Sequence, residues 1–153
     1  MAARSRISVK ILGSGFAPMA PGACTRELEI DGSTSLFDLA AAIIDAFGFQ
    51  LDHAFGFYDN LEDHYDSQDF HTSFADFLDD DPENGKSVRK SKVSEVFSEG
   101  TERLFLFDYG DDWMFHVKCV ATGLAGKKGQ RAKVVASHGE APAQYPDEED
   151  FQG

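Results

Sequence analysis

Few cysteines, no long apolar run and one long stretch without a cation characterise this chain, and each lack closes off a class of protein. Two cysteines, Cys24 and Cys119, are too few for a disulfide framework and are not spaced as a metal pair. Both read as small buried or half-buried thiols. Nothing approaches the ~18 consecutive apolar residues of a membrane span. The start, Met1-Ala2-Ala3-Arg4-Ser5-Arg6, is mildly basic, but no apolar core of adequate length follows it. A secretory signal is therefore not expected, and a cytoplasmic location is. Between Glu27 and Gly85 there are sixteen Asp and Glu and no Lys or Arg. With a formal net charge of −13, such a field repels phosphate backbones, so nucleic acid is not an expected partner. Solubility is the simple consequence of that charge. Divalent cations or a protein partner with a basic surface are the more specific ones.

What the chain does have is aromatic mass. Fourteen of its 153 residues are Phe, and each buried ring removes roughly 150–250 Å² from water, enough to fill a core. The length suits one domain, and there is no internal repeat.

Alternation and turn residues predict the elements. Ile7, Val9 and Ile11 alternate with Arg6, Ser8 and Lys10, a half-buried strand. After a Gly/Pro-rich loop, Thr25 to Ile30 alternates again and reads as its antiparallel partner. Ser35 is placed as a helix N-cap. Leu36, Leu39, Ala40, Ile43, Ile44 and Phe47 then form one apolar stripe, and Gly48 stops the helix. His53 to Tyr58 is a short aromatic strand, and Asp59 to Asp69 an acidic loop without periodicity. Ser73 to Leu78 suggests one helical turn. Asp79-Asp80-Asp81 opens a loop tip that lacks the alternating ligands of a calcium-binding EF-hand. Lys86 to Lys92 is the one dense basic cluster, read as exposed loop, and Ser94 to Gly100 as a short capped turn.

The strongest local signal follows. Leu104 to Tyr109 and Trp113 to Val120 are two apolar strands around the acidic turn Gly110-Asp111-Asp112, a hairpin hinged at Gly110. Alternation puts Leu104 and Leu106 on one face and Phe105, Phe107 and Tyr109 on the other. On the second strand, Trp113, Phe115, Val117 and Cys119 oppose Met114, His116, Lys118 and Val120. Beyond Val120, Gly123, Gly126, Gly129 and Lys127-Lys128 suggest a connector, with a brief strand at Lys133 to Ala136.

This order predicts an α+β fold: a mixed β-sheet with one main helix packed on one face, a β-grasp-like (ubiquitin-like) core and a C-terminal β-hairpin. Residues 1–122 are read as a single domain and 123–153 as a partly ordered Gly/Pro-rich segment folding back on it.

Three blocks carry a family resemblance. The first runs from Arg26 to Phe57, with Leu36-Phe37-Asp38-Leu39, Ile43-Ile44-Asp45-Ala46-Phe47-Gly48-Phe49, then His53 and Phe55. The second, the most specific, is Phe107-Asp108-Tyr109-Gly110-Asp111-Asp112-Trp113 with His116. The third is His138-Gly139-Glu140-Ala141 followed by Pro146 to Gly153. Together they resemble the plasmid pRiA4b ORF-3-like family. Phe49 stands where that family usually has Trp, and Gln152 replaces the first Gly of its final pair. The resemblance implies a compact α+β fold, β-grasp-like in outline, and no particular chemistry; its link to plasmids and mobile elements is genomic context.

One constellation could form a site: His53, Asp108, Asp111, Asp112 and His116, joined by Glu148 and Asp150 if the tail folds back. Such a set suits a divalent metal or acid–base work. The preferred reading is structural: Asp108, Asp111 and Asp112 suit the turn itself, with Tyr109, Gly110 and Trp113 as structural signature. Cys119 lies inside a strand and no serine stands on a recognisable elbow, so nucleophilic catalysis is not expected. The expected role is a small protein-binding or adaptor module rather than an enzyme. The alternative is a metal-dependent hydrolase or nuclease-like protein using the hairpin ligands.

Overall fold

Period-two alternation dominates the chain, and a computed structural model shows the sheet it builds; residues 2–15, 18–20, 22–77, 83–126 and 132–145 are described. The strands are β1 (Ala2–Gly13), β2 (Thr25–Asp31), β3 (Phe55–Tyr58), β4 (Phe70–Thr72), β5 (Lys86–Ser87), β6 (Glu102–Phe107), β7 (Trp113–Gly126) and β8 (Lys133–His138), and the helices are α1 (Leu36–Ala46) and α2 (Val93–Val96). The eight strands form one sheet in the order β5-β4-β3-β6-β7-β1-β2-β8. It is mixed: β4 and β5 pair in parallel, while β1 lies between β2 and β7 and runs antiparallel to both.

The helix forms where the apolar stripe placed it. Ser35 adopts extended backbone and its side chain accepts from the Asp38 N–H at 3.1 Å. Gly48 takes the positive φ of 75° that ends the helix. The first N–H groups of α1 have no partner within the helix. Here Leu36 N–H donates to Ser91 O and Phe37 N–H to Val88 O. The basic segment read as exposed loop is thus bonded to the helix start, and Val88 is fully buried.

One face of the sheet carries the main core. Ile7, Val9, Ile11, Leu28 and Ile30 meet the α1 stripe there, with Phe55, Phe57, Phe105, Phe107, Trp113 and Phe115 alongside. The rings pack on one another: Phe57 stacks on Phe105 at 4.8 Å between centroids, Phe105 lies 5.4 Å from Phe115, and Trp113 meets Phe49 edge-on at 4.9 Å. The opposite face holds a smaller cluster of Tyr58, Leu104 and Leu106, with Phe70, Tyr109 and Met114 against it.

Four more local expectations change. The acidic loop 59–69 contains a 3-10 turn at His64–Asp66, and β4 follows directly after it. The strand into the expected connector continues, since β7 runs to Gly126 and pairs Ala125 with Ala3. The hairpin turn is not hinged at Gly110: the left-handed residues are Asp108 (φ 66°) and Asp112 (φ 55°). Finally, Tyr109 does not share the face of Phe105 and Phe107. The left-handed step at Asp108 interrupts alternation and sends the Tyr109 ring to the Leu104–Leu106 side. Asp79–Asp81 lies outside the described residues.

Candidate functional site

The hairpin turn joins the two faces of the sheet, and a different group of residues gathers on each. Asp108 sits at the end of β6. Its N–H donates to Ala54 O at 2.9 Å, and its Oδ1 accepts from the N–H groups of Gly110 (3.1 Å) and Asp111 (3.3 Å). A short polar side chain that bonds its own backbone tolerates the left-handed region better than most. Asp108 therefore holds the turn, as its spacing suggested.

On the main-core side, Asp108 Oδ2 lies 3.5 Å from His53 Nε2. His53 Nε2 is also 2.8 Å from the Tyr145 hydroxyl, which donates to Asp52 Oδ2 at 2.8 Å. Gln144 is bonded to the backbone of Gln50 and to Asp52. Partial desolvation and the Asp52 carboxylate push the Tyr145 hydroxyl up to about 12. The chain near residue 145 thus comes back over His53.

The predicted site residues divide. His53, Asp108 and Asp111 come together: desolvation and then the Asp108 charge raise the Asp111 carboxyl, while His53 lowers it. Asp112 belongs to the turn, donating its N–H to Asp108 O. His116 is elsewhere. It stands opposite Leu104 on the other face of the sheet, with Nε2 2.9 Å from Glu102. The alternation Met114, His116, Lys118 already carried that signal. Glu148 and Asp150 lie outside the described residues. Among the described residues, no group of three or more His, Cys, Asp or Glu side chains is arranged to hold a metal ion. Of the signature residues, Trp113 closes the core against Phe49, and Gly110 gives its N–H to Asp108.

The raised Asp111 carboxyl has a testable sign. A carboxyl raised on folding is a net penalty at neutral pH, relieved as pH falls through its folded value. Asp111→Asn removes that charge and still offers a donor toward Asp108. The variant should melt above the parent at pH 7, with the gap closing toward about pH 4, where ordinary carboxylates take up protons. A gap that is absent at pH 7, or widens in acid, contradicts this reading.

On the other face, the turned Tyr109 enters a cavity of about 530 Å³. Its walls come from β3, β4, the 59–69 loop, the turn after β4, and residues 83 and 84. The rings are Tyr58, His64, Tyr65, Phe70, Phe74 and Tyr109. Tyr58 stacks on Phe70 at 5.5 Å, His64 meets Tyr58 edge-on at 5.0 Å, and Phe74 lies 5.2 Å from Tyr109. The Tyr58 and Tyr109 hydroxyls share a hydrogen bond of 2.6 Å. Burial raises both above the ordinary tyrosine value, so both remain neutral. Glycine at position 56 makes the room: a Cβ there would lie 2.8 Å from the Tyr109 hydroxyl.

The polar lining is largely committed within the protein. Thr72 Oγ1 donates to Asn84 O, and Ser67 Oγ accepts from Asn60 N–H. Glu83 brings a carboxylate to the lining. The segment 59–69 carries five Asp and Glu and no Lys or Arg; Lys86 and Arg103 approach it at Asp69. Tyr65 is 88% exposed and Phe74 42%, so two rings stand at the opening rather than in a core. Tyr58 was expected in a strand and Tyr109 as a signature residue, but neither was expected in a site, and the other lining residues were not singled out. The signal for those was large aromatics at 65, 70 and 74 in a polar stretch with no period to bury them.

Comparison with known proteins agrees with the fold. A crystal structure described as a protein of unknown function, MM3350 from Methanosarcina mazei Go1, superposes with a TM-score of 0.68 at 17% identity, covering 90% of this chain and 70% of that one. Identity this low is a likeness of fold alone. No curated protein matches. Among the described residues no helix is long and apolar enough to cross a membrane. The sequence profile for plasmid pRiA4b ORF-3-like protein matches residues 17–150, which include the hairpin turn and every residue lining the aromatic cavity, and the chain belongs to that family.

Proposed function

We propose that this protein is a binding module whose open sheet face receives a basic polypeptide partner at the aromatic cavity. The observation that carries the reading is the cavity itself, about 530 Å³ with six ring-bearing side chains in its wall and Tyr65 standing almost wholly in solvent at its edge. Exposed aromatic side chains around a concavity are unusual unless something covers them. The charge selects the partner: a net charge of −13 and the acid-only run 59–69 favour a cationic chain and raise its rate of encounter. The element order β1, β2, α1, β3 is what supports a β-grasp-like outline; against it, β6 and β7 separate β3 from β1 in the sheet, and β1 runs antiparallel to both its neighbours.

A metal-dependent hydrolase at the hairpin has less to support it, because His116 is paired with Glu102 on the other face from His53.

The test is titration of isotope-labelled protein with a short Lys/Arg-rich peptide and with a Glu-rich peptide of equal length. The basic peptide should perturb resonances of Tyr65, Phe74 and Glu83, and its affinity should fall with added salt. Perturbations confined to other surfaces, or equal binding of the acidic peptide, overturn the proposal.

A further inference from the structure

Resting on that reading, we infer that the group the cavity holds is a methylated ammonium, of the kind borne by di- or trimethylated lysine. Three observations converge on this chemistry. The wall is built from rings whose faces attract a cation. The surrounding field is acidic, with Glu83 in the lining and five carboxylates on the loop that supplies His64 and Tyr65. Apart from Tyr65 at the opening, the hydroxyls of the lining are already engaged within the protein: Tyr58 with Tyr109, Thr72 with Asn84 O and Ala75 N–H, and Ser67 with Asn60 N–H.

The last point separates a methylated ammonium from a bare one. A primary ammonium carries three N–H donors that water satisfies and that each need a replacement acceptor on burial. Methylation keeps the positive charge, removes two or three of those donors and adds C–H surface that rings can contact. A neutral apolar group of the same shape would fill the space but forfeit the attraction of rings and carboxylates. An anion would meet that acidic field. Neutral tyrosines complete the picture: both hydroxyls stay protonated, so they provide rings rather than phenolate charge.

Five probes decide the matter by titration against the intact chain: one peptide carrying trimethyllysine, dimethyllysine, lysine or the uncharged carbon isostere of trimethyllysine, and free choline. The two methylated peptides are expected to bind about tenfold or more tightly than the lysine and isostere peptides. Tyr65→Ala should remove that preference while the melting temperature stays near the parent's, since that side chain is 88% exposed; Phe74→Ala should remove it too, with some loss of stability because the ring also packs on Tyr109. Glu83→Gln should narrow the gap between the trimethyl and isostere peptides without touching a ring.

Equal binding by the isostere overturns the cationic assignment and leaves the binding module standing. Equal binding by unmodified lysine overturns the methyl assignment and leaves the basic partner standing. Choline binding as tightly as the trimethyl peptide supports the ammonium chemistry while showing that the peptide contributes nothing, which counts against the polypeptide partner. Failure of all five probes to perturb cavity resonances overturns the inference.

Discussion

Phe105→Ala is expected to lower the unfolding free energy by about 3–5 kcal/mol, the range for removing a buried ring from a packed core. Phe105 is fully buried. It lies at the centre of the aromatic cluster, 4.8 Å from Phe57, 5.8 Å from Phe55 and 5.4 Å from Phe115. Its strand β6 pairs with β3 on one side and β7 on the other. The substitution therefore opens a void bounded by strands that cannot close in without breaking ladder hydrogen bonds. A domain of this size has a stability of about 5–15 kcal/mol in total, so much of it would be lost. Urea titration checks the effect through a large fall in the midpoint. Phe105→Leu should recover part of it, because more of the volume is retained. A loss below about 1 kcal/mol for the alanine variant would mean that the ring cluster relaxes freely, against the close packing of protein interiors.

Gly56→Ala should cost about 1–3 kcal/mol, as overpacking commonly does, and should also disturb the cavity. The added methyl would lie 2.8 Å from both the Tyr109 hydroxyl and Tyr58 Cε2, and 3.1 Å from the carbonyl oxygen of His71. The carbonyl is backbone in a paired strand and cannot retreat; the tyrosines can. Displacing them separates the hydroxyl pair and moves two walls of the cavity. Thermal denaturation reads the stability loss, and titration with the basic peptide reads the change in the site. Tyr109→Phe removes one of the crowded atoms, so the double variant should lose less than the sum of the two single losses. Strict additivity would show that Gly56 and Tyr109 do not share the space.

Local rules made much of this fold legible. The apolar stripe from Leu36 to Phe47 and the Ser35 cap define α1 because i, i+3, i+4 spacing fits a helix with one buried face. Alternation put Trp113, Phe115, Val117 and Cys119 on one face of their strand, and all four are buried in the core. The same alternation put His116 on the opposite face, and grouping it with the turn carboxylates overrode that signal because it lies close to them in sequence.

Tyr109 shows where such rules stop. Strict alternation assigned it to the face of Phe105 and Phe107, and one left-handed residue reversed the assignment. Asp108 holds that conformation because its own side chain accepts from the next N–H groups, its N–H reaches Ala54, and Gly56 leaves space for the ring beyond. Each of those supports is modest, and two of them come from β3 and the residue just before it.

By itself, then, the sequence determined the α+β class, the helix and its capping residue, the hairpin, the family and the acidic field. Those are properties of neighbours along the chain or of sums over it. Only the tertiary structure decided that His53 meets Asp108 while His116 does not, and that Tyr58 and Tyr109, 51 residues apart, share one hydrogen bond. The cavity has the same origin. Its walls come from elements joined by β3–β4, β3–β6 and β4–β5 pairing, and the register of those pairs is set by burial across the whole sheet, which no short window of sequence contains.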